Sequence, residues 1–384
     1  MVKTRLFNPK GGDTVDLKEK IRKLPSSSGV YIMKDSFDSV LYVGKSKNLK
    51  SRVGSYFQNS KSHPPKVVKL VKHLKDFDYI LTDTEFEAFM LENKLIKEMN
   101  PIYNRQLKSP KSYSYIKIGI NEKYPAIEVK SEPSKSDGNL YFGPYTNRNT
   151  VERGLQGIKE CCKILCTGTS QKTSSCLNYS LGLCIGMCLD DAPREQYLAI
   201  IDKIVKLLSG TDKSIIEAME CNMNIASEKL DFESAAKYRD YLSAVNYLIG
   251  KVKVVEYTKK NKNIVVLENL SNDSVKFFLI KGNKVLFSEK YFLVDFDFGK
   301  LKLIMKTNIL TYFNNKAQKG SKEIRKEEID ESQIIYSYLN SKSSNCRHSI
   351  ISEKWLNASN STKIDTALDK LIFVENVKPE IAPW

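Results

Sequence analysis

No stretch of this 384-residue chain reaches the eighteen or so consecutive apolar residues that a membrane-spanning helix requires, so no membrane partner is expected. The first residues, MVKTRLFNPKGGD, lack the apolar core of a secretory signal. Both absences make the cytoplasm the expected compartment. No internal repeat is present. Cysteine is nearly missing outside one window: seven of the eight fall between 161 and 221. In a reducing compartment such clustering points to a metal or an iron–sulfur cluster rather than to disulfides. Acidic residues are missing altogether from 41 to 75, where nine Lys or Arg occur. The whole chain carries a formal charge of +16, which a Lys-rich proteome could also produce. A local block of one sign is better explained by phosphates, so a polyanionic partner such as DNA is expected, with Lys47, Lys50, Lys66 and Lys69 as candidate contacts.

What is present suits a soluble globular protein of two or three domains. Residues 29–33 and 40–44 read as short strands joined by the polar turn Lys34 to Ser39. Ser46 is placed to cap a helix beginning near Lys47, with Leu49, Val53 and Tyr56 on one face. After Pro64-Pro65, residues Val67, Leu70, Val71 and Leu74 mark a second helical face, and Tyr79-Ile80-Leu81 a third strand. Phe86, Phe89, Met90, Leu95 and Ile96 mark a helix from Thr84 to Met99, closed by Pro101. Residues 110–150 read as strand-rich. A helix follows from about Pro193 to Leu208, and 213–248 reads as a helical hairpin with Asp231 capping its second arm. Strand-like alternation returns over 252–290, and 312–365 carries little signal.

Phosphodiester hydrolysis needs an activated water, a Lewis acid and positive charge for the transition state. The N-terminal unit has the parts. Glu92 is a candidate metal carboxylate on a helix. Tyr31 and Tyr42 lie on adjacent strands, and a nearby cation must lower a phenol before it can serve as a base. Lys45 is available for that, and Arg52 can fork two phosphate oxygens. Gly29 and Gly44 either end strands or admit a close backbone approach by DNA.

Gly29-Val30-Tyr31 and Tyr42-Val43-Gly44 resemble the signature of the GIY-YIG nuclease superfamily. The surrounding "VLYVGKSKNLKSRVGSYF", "TDTEFEAFMLENKLIKEMNPIYN", "KSYSYIKI" and "YFGPYT" resemble the UvrC family of nucleotide-excision repair endonucleases. Carried over by position, the family's active-site residues are Tyr31, Tyr42, Lys45, Arg52, Glu92 and Asn104. The resemblance implies one divalent ion, Mg or Mn, on Glu92, with Tyr42 as the base and Tyr31 assisting. Asn104 would position the phosphate or its own loop.

Cys166, Cys176, Cys184 and Cys188 could enclose a tetrahedral zinc or an iron–sulfur cluster. Their spacing lacks the paired CxxC of a zinc ribbon, and the resemblance implies a 4Fe–4S cluster, with Cys162 as an alternative to Cys166. The hairpin "IIEAMECNMNIASEKLDFESAAKYRDYLSAV" resembles the UVR motif, which implies docking on a UvrB-like helicase through Leu230, Phe232, Ala235 and Arg239, and an indirect link to UvrA.

The expected fold is therefore α+β and multidomain: a small GIY-YIG α/β nuclease domain (20–107), a cysteine-rich middle region (108–192), a helical region with the hairpin (193–250) and a partial α/β domain with a tail (251–384). A typical family member continues into a ribonuclease-H-like catalytic domain and helix-hairpin-helix motifs. No acidic catalytic cluster of that domain precedes Trp384, so a C-terminally truncated relative is expected, one that does not make the 5′-side cut itself. The expected function is a metal-dependent endonuclease nicking damaged double-stranded DNA on the 3′ side. The alternatives are a non-cutting adaptor for UvrB or DNA, and a GIY-YIG nuclease with another DNA-processing role.

Overall fold

The computed structural model describes residues 17–58, 63–104, 113–165, 177–189, 193–314, 328–341, 345–357 and 361–372, apart from positions 123, 135, 188 and 272 and position 296. Packing divides these into two units. One comprises the residues up to 104 together with those from Tyr257 onward, and the other those from 113 to Glu256.

The first unit opens with α1 (Leu17–Arg22), β1 (Gly29–Lys34), β2 (Val40–Ser46), α2 (Leu49–Ser55), α3 (Pro65–His73), β3 (Asp76–Leu81) and α4 (Glu85–Met99). The strands form an antiparallel sheet in the order β2-β1-β3. Strand alternation sends Tyr31, Met33 and Phe77 to one face, against Leu49, Val53 and Leu70 of α2 and α3. Val30, Ile32, Val43 and Ile80 go to the other, against Ala88, Leu95 and Ile96 of α4. The expected cap of α2 needs correction. Asn48, not Ser46, is the N-cap, its side chain accepting from Ser51 N–H, while the Ser46 hydroxyl bonds the Asn48 carbonyl. Thr84 caps α4 by accepting from Glu87 N–H at 3.1 Å.

The second unit holds β4 (Ser114–Ile118), β5 (Ile127–Lys130), β6 (Leu140–Tyr145), α5 (Arg148–Cys161), α6 (Leu177–Ser180), α7 (Arg194–Leu208), α8 (Ser214–Glu228) and most of α9 (Phe232–Lys259). The cysteine-rich and hairpin segments, separate in the sequence reading, share one core here, in which Val151, Leu155 and Ile158 meet Ile204, Met219 and Val245. Helix α5 is not anticipated by the sequence. Gly154 and Gly157 weaken its helical signal, yet they let α9 approach: a Cβ on Gly157 would lie 2.6 Å from the Tyr241 ring. Asp231 caps α9, accepting from Ser234 N–H at 3.1 Å.

The first unit resumes with β7 (Asn263–Ser271), β8 (Ser274–Lys281), β9 (Lys284–Phe292), α10 (Phe298–Phe313), α11 (Ile329–Leu339), β10 (Cys346–Ile351) and α12 (Thr362–Ile372). The strand reading over 252–290 is corrected at its start, because α9 runs on to Lys259 before β7 begins. These strands form an antiparallel sheet in the order β10-β7-β8-β9. Strand β8 is buried on both faces. Val275, Phe277 and Leu279 pack with α10 and α12 residues such as Met305 and Leu368. Phe278 and Ile280 pack with Ile335 of α11 and with Phe86 of α4.

Candidate active site

Antiparallel register explains why the two Tyr-centred triplets occur together. Tyr31 pairs with Gly44, and Met33 with Tyr42, so the two tyrosines stand diagonally on one face with ring centroids 6.1 Å apart. Gly44 leaves the space that the Tyr31 ring fills; a Cβ there would collide with that ring. Gly29 similarly lies against the Ile80 carbonyl of β3. Both glycines thus serve internal packing, and the close approach they permit is by the protein itself.

Strand β2 is an edge strand, and an edge exposes unpaired backbone groups. Here those groups are occupied by residues around the site. The Leu41 carbonyl accepts from Tyr103 N–H at 3.0 Å. Val43 N–H donates to Asn104 Oδ1 at 2.9 Å, and the Val43 carbonyl accepts from Asn104 Nδ2 at 2.8 Å. Lys45 N–H donates to Glu92 Oε1 at 3.0 Å. Of the two roles expected for Asn104, its hydrogen bonds serve the chain: they fasten β2 to the loop after α4.

Tyr31, Tyr42, Lys45, Arg52, Glu92 and Asn104, the six residues singled out in the sequence, line one cavity of about 730 Å³. Lys66 lines it too, its ammonium 5.7 Å from the centre of the Tyr42 ring. Lys47, Lys50 and Lys69 are exposed and are not among the lining residues.

The sequence reading missed two neighbours of these residues. Tyr56, assigned only an apolar helix position, brings its hydroxyl within 2.8 Å of the Tyr31 hydroxyl, and the Arg52 guanidinium lies 5.2 Å from its ring. A tyrosine on the helix face turned toward Tyr31 was the available signal. Glu85, in the first turn of α4, takes the Lys45 ammonium at 2.8 Å and the Lys47 ammonium at 2.9 Å. Burial alone would raise the Glu85 pKa, but the two lysines overcome it and hold the carboxyl below its usual range.

The expected pairing of Lys45 with a phenol is corrected by this geometry. Tyr42 is pushed up to about 12, first by burial and then by Tyr56 and Glu92, and the cation opposing the shift is Arg52. Tyr31 is raised as well, chiefly by burial, again opposed by Arg52. Both phenols therefore hold their protons at neutral pH. Burial also raises the Glu92 pKa, against the Lys45 N–H and the charges of Lys45 and Arg52. Among the described residues no group of three or more His, Cys, Asp or Glu is arranged to hold a metal, so Glu92 stands as a single carboxylate in the cavity.

Residues 27–105 match the UvrC-like GIY-YIG domain, 113–207 the UvrC/Cho excinuclease middle domain, and 213–248 the UvrB/uvrC motif. The chain belongs to the UvrC family. It is 37% identical over 338 residues to the UvrABC system protein C of Alkaliphilus oremlandii, covering 86% of this chain and 54% of that protein. It is 40% identical over 284 residues to that of Clostridium tetani, covering 72% of this chain and 46% of that protein. The chain thus spans about half the length of the curated relatives it matches. A solved GIY-YIG N-terminal endonuclease domain of UvrC from Thermotoga maritima, bound to its catalytic divalent cation magnesium, is 36% identical, covers 23% of this chain and 93% of that domain, and has a TM-score of 0.21.

In the stretch matching the UvrC middle domain, Cys184 is buried, and its Sγ accepts from Gly186 N–H at 3.4 Å. Cys166, Cys176 and Cys188 lie outside the described residues. Cys162 caps α5, and burial followed by Cys161 pushes its thiol up to about 12. In the stretch matching the UvrB/uvrC motif, the base of the hairpin belongs to the core through Ile215, Met219 and Val245, while its turn bares Leu230 (72% exposed) and Phe232 (67%). Ala235 is half-buried, and Arg239 is exposed and paired with Asp240.

Proposed function

We propose that this chain is a metal-dependent DNA endonuclease of nucleotide-excision repair that nicks the damaged strand on the 3′ side of a lesion. The observation that carries the reading is the single cavity joining Tyr31, Tyr42, Arg52 and Glu92 beside Lys45 and Lys66. Glu92 would hold one Mg or Mn ion. Its carboxylate lines the cavity, one oxygen accepts the Lys45 N–H, and an oxygen donor suits a hard cation. Bound there, the ion would supply the positive charge that a phenol raised to about 12 needs before it can take a proton from water. Arg52 pairs with two phosphate oxygens and opposes the phenol shifts. Tyr56 fixes the Tyr31 hydroxyl, and Asn104 and Gly44 fix the strand that carries Tyr42.

Lys47, Lys50 and Lys69 extend the positive surface for the DNA backbone. The exposed Leu230 and Phe232 support docking on a UvrB-like helicase, with Ala235 and Arg239 beside them on the same arm. UvrA would act through that partner. Cys184, a buried thiol accepting a backbone N–H, suits a ligand of a 4Fe–4S cluster, whose other ligands would be Cys166, Cys176 and Cys188.

Purified protein with Mg or Mn is incubated with a lesion-bearing duplex, with and without UvrB and UvrA. A single nick on the 3′ side, dependent on UvrB, is the expected result. No nick with UvrB binding intact would leave an adaptor, and a nick equally strong without UvrB would indicate another DNA-processing role.

A further inference from the structure

Helix α4 carries Glu92 on one side, and its other side is held by the second sheet of the same unit. Phe86 stacks on Tyr338 of α11 with centroids 4.0 Å apart and planes 8° apart, and meets Phe278 of β8 edge-on at 5.3 Å. At the helix start, the Lys276 ammonium of β8 lies 2.6 Å from Asp83 Oδ2 and 2.8 Å from Glu87 Oε1, with the lysine side chain only 6% exposed. Ser288 of β9 donates to the same Glu87 oxygen at 3.1 Å, and Asp83 N–H donates to the other at 3.2 Å. Toward the helix end, Lys97 lies 3.7 Å from Glu331 of α11.

A buried ammonium is expensive unless its charge is matched. Lys276 is matched by both carboxylates, one just before α4 and one in its first turn, and the two meet it together with the start of the helix held in this position. That turn also presents Glu85 to Lys45, and the same helix carries Glu92 two turns on. We propose that Lys276 is a positioning residue of the nuclease site: from the second sheet it fixes the register of α4, and through α4 the place of Glu92. This inference rests on the proposed reading of Glu92 as the metal carboxylate. It gives Lys276, remote in sequence from the GIY-YIG segment, a part in placing Glu92.

The test is Mn²⁺ binding to the full chain, followed by the electron-spin resonance of free Mn²⁺, with thermal unfolding and nicking measured alongside. Variants are Lys276→Met, Lys276→Arg and the charge-neutral set Asp83→Asn, Glu87→Gln, Lys276→Met, which removes the clamp without stranding a carboxylate. Supports of metal ligands typically alter affinity by about tenfold or more. Lys276→Met is expected to weaken Mn²⁺ binding by about tenfold and to raise the half-saturating Mg for nicking by a similar factor, with arginine restoring both. Should Lys276→Met fail to fold, the neutral set carries the same expectation. Wild-type Mn²⁺ affinity in a folded variant lacking the clamp overturns the inference and leaves the nuclease reading intact. A wild-type chain that binds Mn²⁺ without cutting overturns the nuclease reading, while the shift in Mn²⁺ affinity still decides the role of Lys276. A wild-type chain that binds no Mn²⁺ overturns both.

Discussion

Replacing Glu85 by glutamine keeps the size of the side chain and removes the charge that occupies Lys45 and Lys47. In the free protein these ammoniums lie 2.8 and 2.9 Å from the two Glu85 oxygens, with the Lys45 side chain 26% exposed and Lys47 75%. A DNA phosphate that uses them must compete with that carboxylate. An exposed ion pair is worth up to about 1 kcal/mol, so removing the competitor should tighten DNA binding by about two- to fivefold at low salt. Each further phosphate that a freed lysine neutralises steepens the dependence of log K on log salt by about 0.9, so the slope should steepen by about 1 to 2. An added slope of about 1 cancels about fourfold in affinity when salt rises fourfold, so the variant and wild type should converge near 200 mM if binding is compared from about 50 mM. The cost is the loss of one acidic residue from the first turn of α4, about 0.3–1 kcal/mol of stability. Fluorescence anisotropy in EDTA, which prevents cutting, measures both affinity and slope. An unchanged affinity and slope would refute the reasoning, because Lys45 and Lys47 would then not meet phosphate.

Other substitutions follow from the same geometry. Gly44→Ala should displace the Tyr31 ring, slowing nicking by about 100-fold for a misplacement of about 1 Å while costing about 1–3 kcal/mol in unfolding experiments; a wild-type rate would contradict the packing role of Gly44. Asn104→Ala should strand the Val43 N–H and carbonyl at about 1–3 kcal/mol each in urea unfolding, and lost activity at unchanged stability would mean that Asn104 meets phosphate instead. The Glu268 pKa is raised, mainly by burial, although Tyr338 donates to it at 2.7 Å. A carboxyl raised in the folded state stabilises below its unfolded pKa, and that contribution is lost as pH rises through the folded value. Glu268→Gln should therefore melt above wild type at pH 8, with the gap closing toward pH 4, and a gap that persists or reverses would contradict the burial argument.

The N-terminal site was legible because its signals are local. Short runs rich in Val, Ile, Leu and Tyr over residues 29–33 and 40–44, a polar turn between them and a helical stripe through Phe86, Leu95 and Ile96 locate the strands and α4 without tertiary information. The six residues expected at the site line one cavity. The charges proved harder to read, because the sequence offers Lys45 both carboxylates and phenols as partners, and only the fold shows that Glu85 takes its ammonium. Helix α5 was hidden by Gly154 and Gly157, whose value lies in contact with Tyr241 and Leu248 about 90 residues away. Lys276 carried no signal at all, since a lone lysine in a strand ordinarily faces solvent, and its partners are 193 residues distant for Asp83. The cap of α2 differed by two positions because Ser46 turns its hydroxyl to the Asn48 backbone, leaving Asn48 to bond the helix.

The central claim is that Glu92, in one cavity with Tyr42 and Arg52, makes this site a metal-dependent phosphodiesterase. Glutamine at 92 keeps an acceptor for Lys45 N–H and so preserves the strand while removing the charge that a divalent ion needs. The most direct measurement compares wild type and Glu92→Gln on a lesion-bearing duplex with UvrA, UvrB and Mg. The account predicts a single 3′-side nick from the wild type and none from a variant that melts like wild type and still binds UvrB. A Glu92→Gln protein that nicks at the wild-type rate would contradict it.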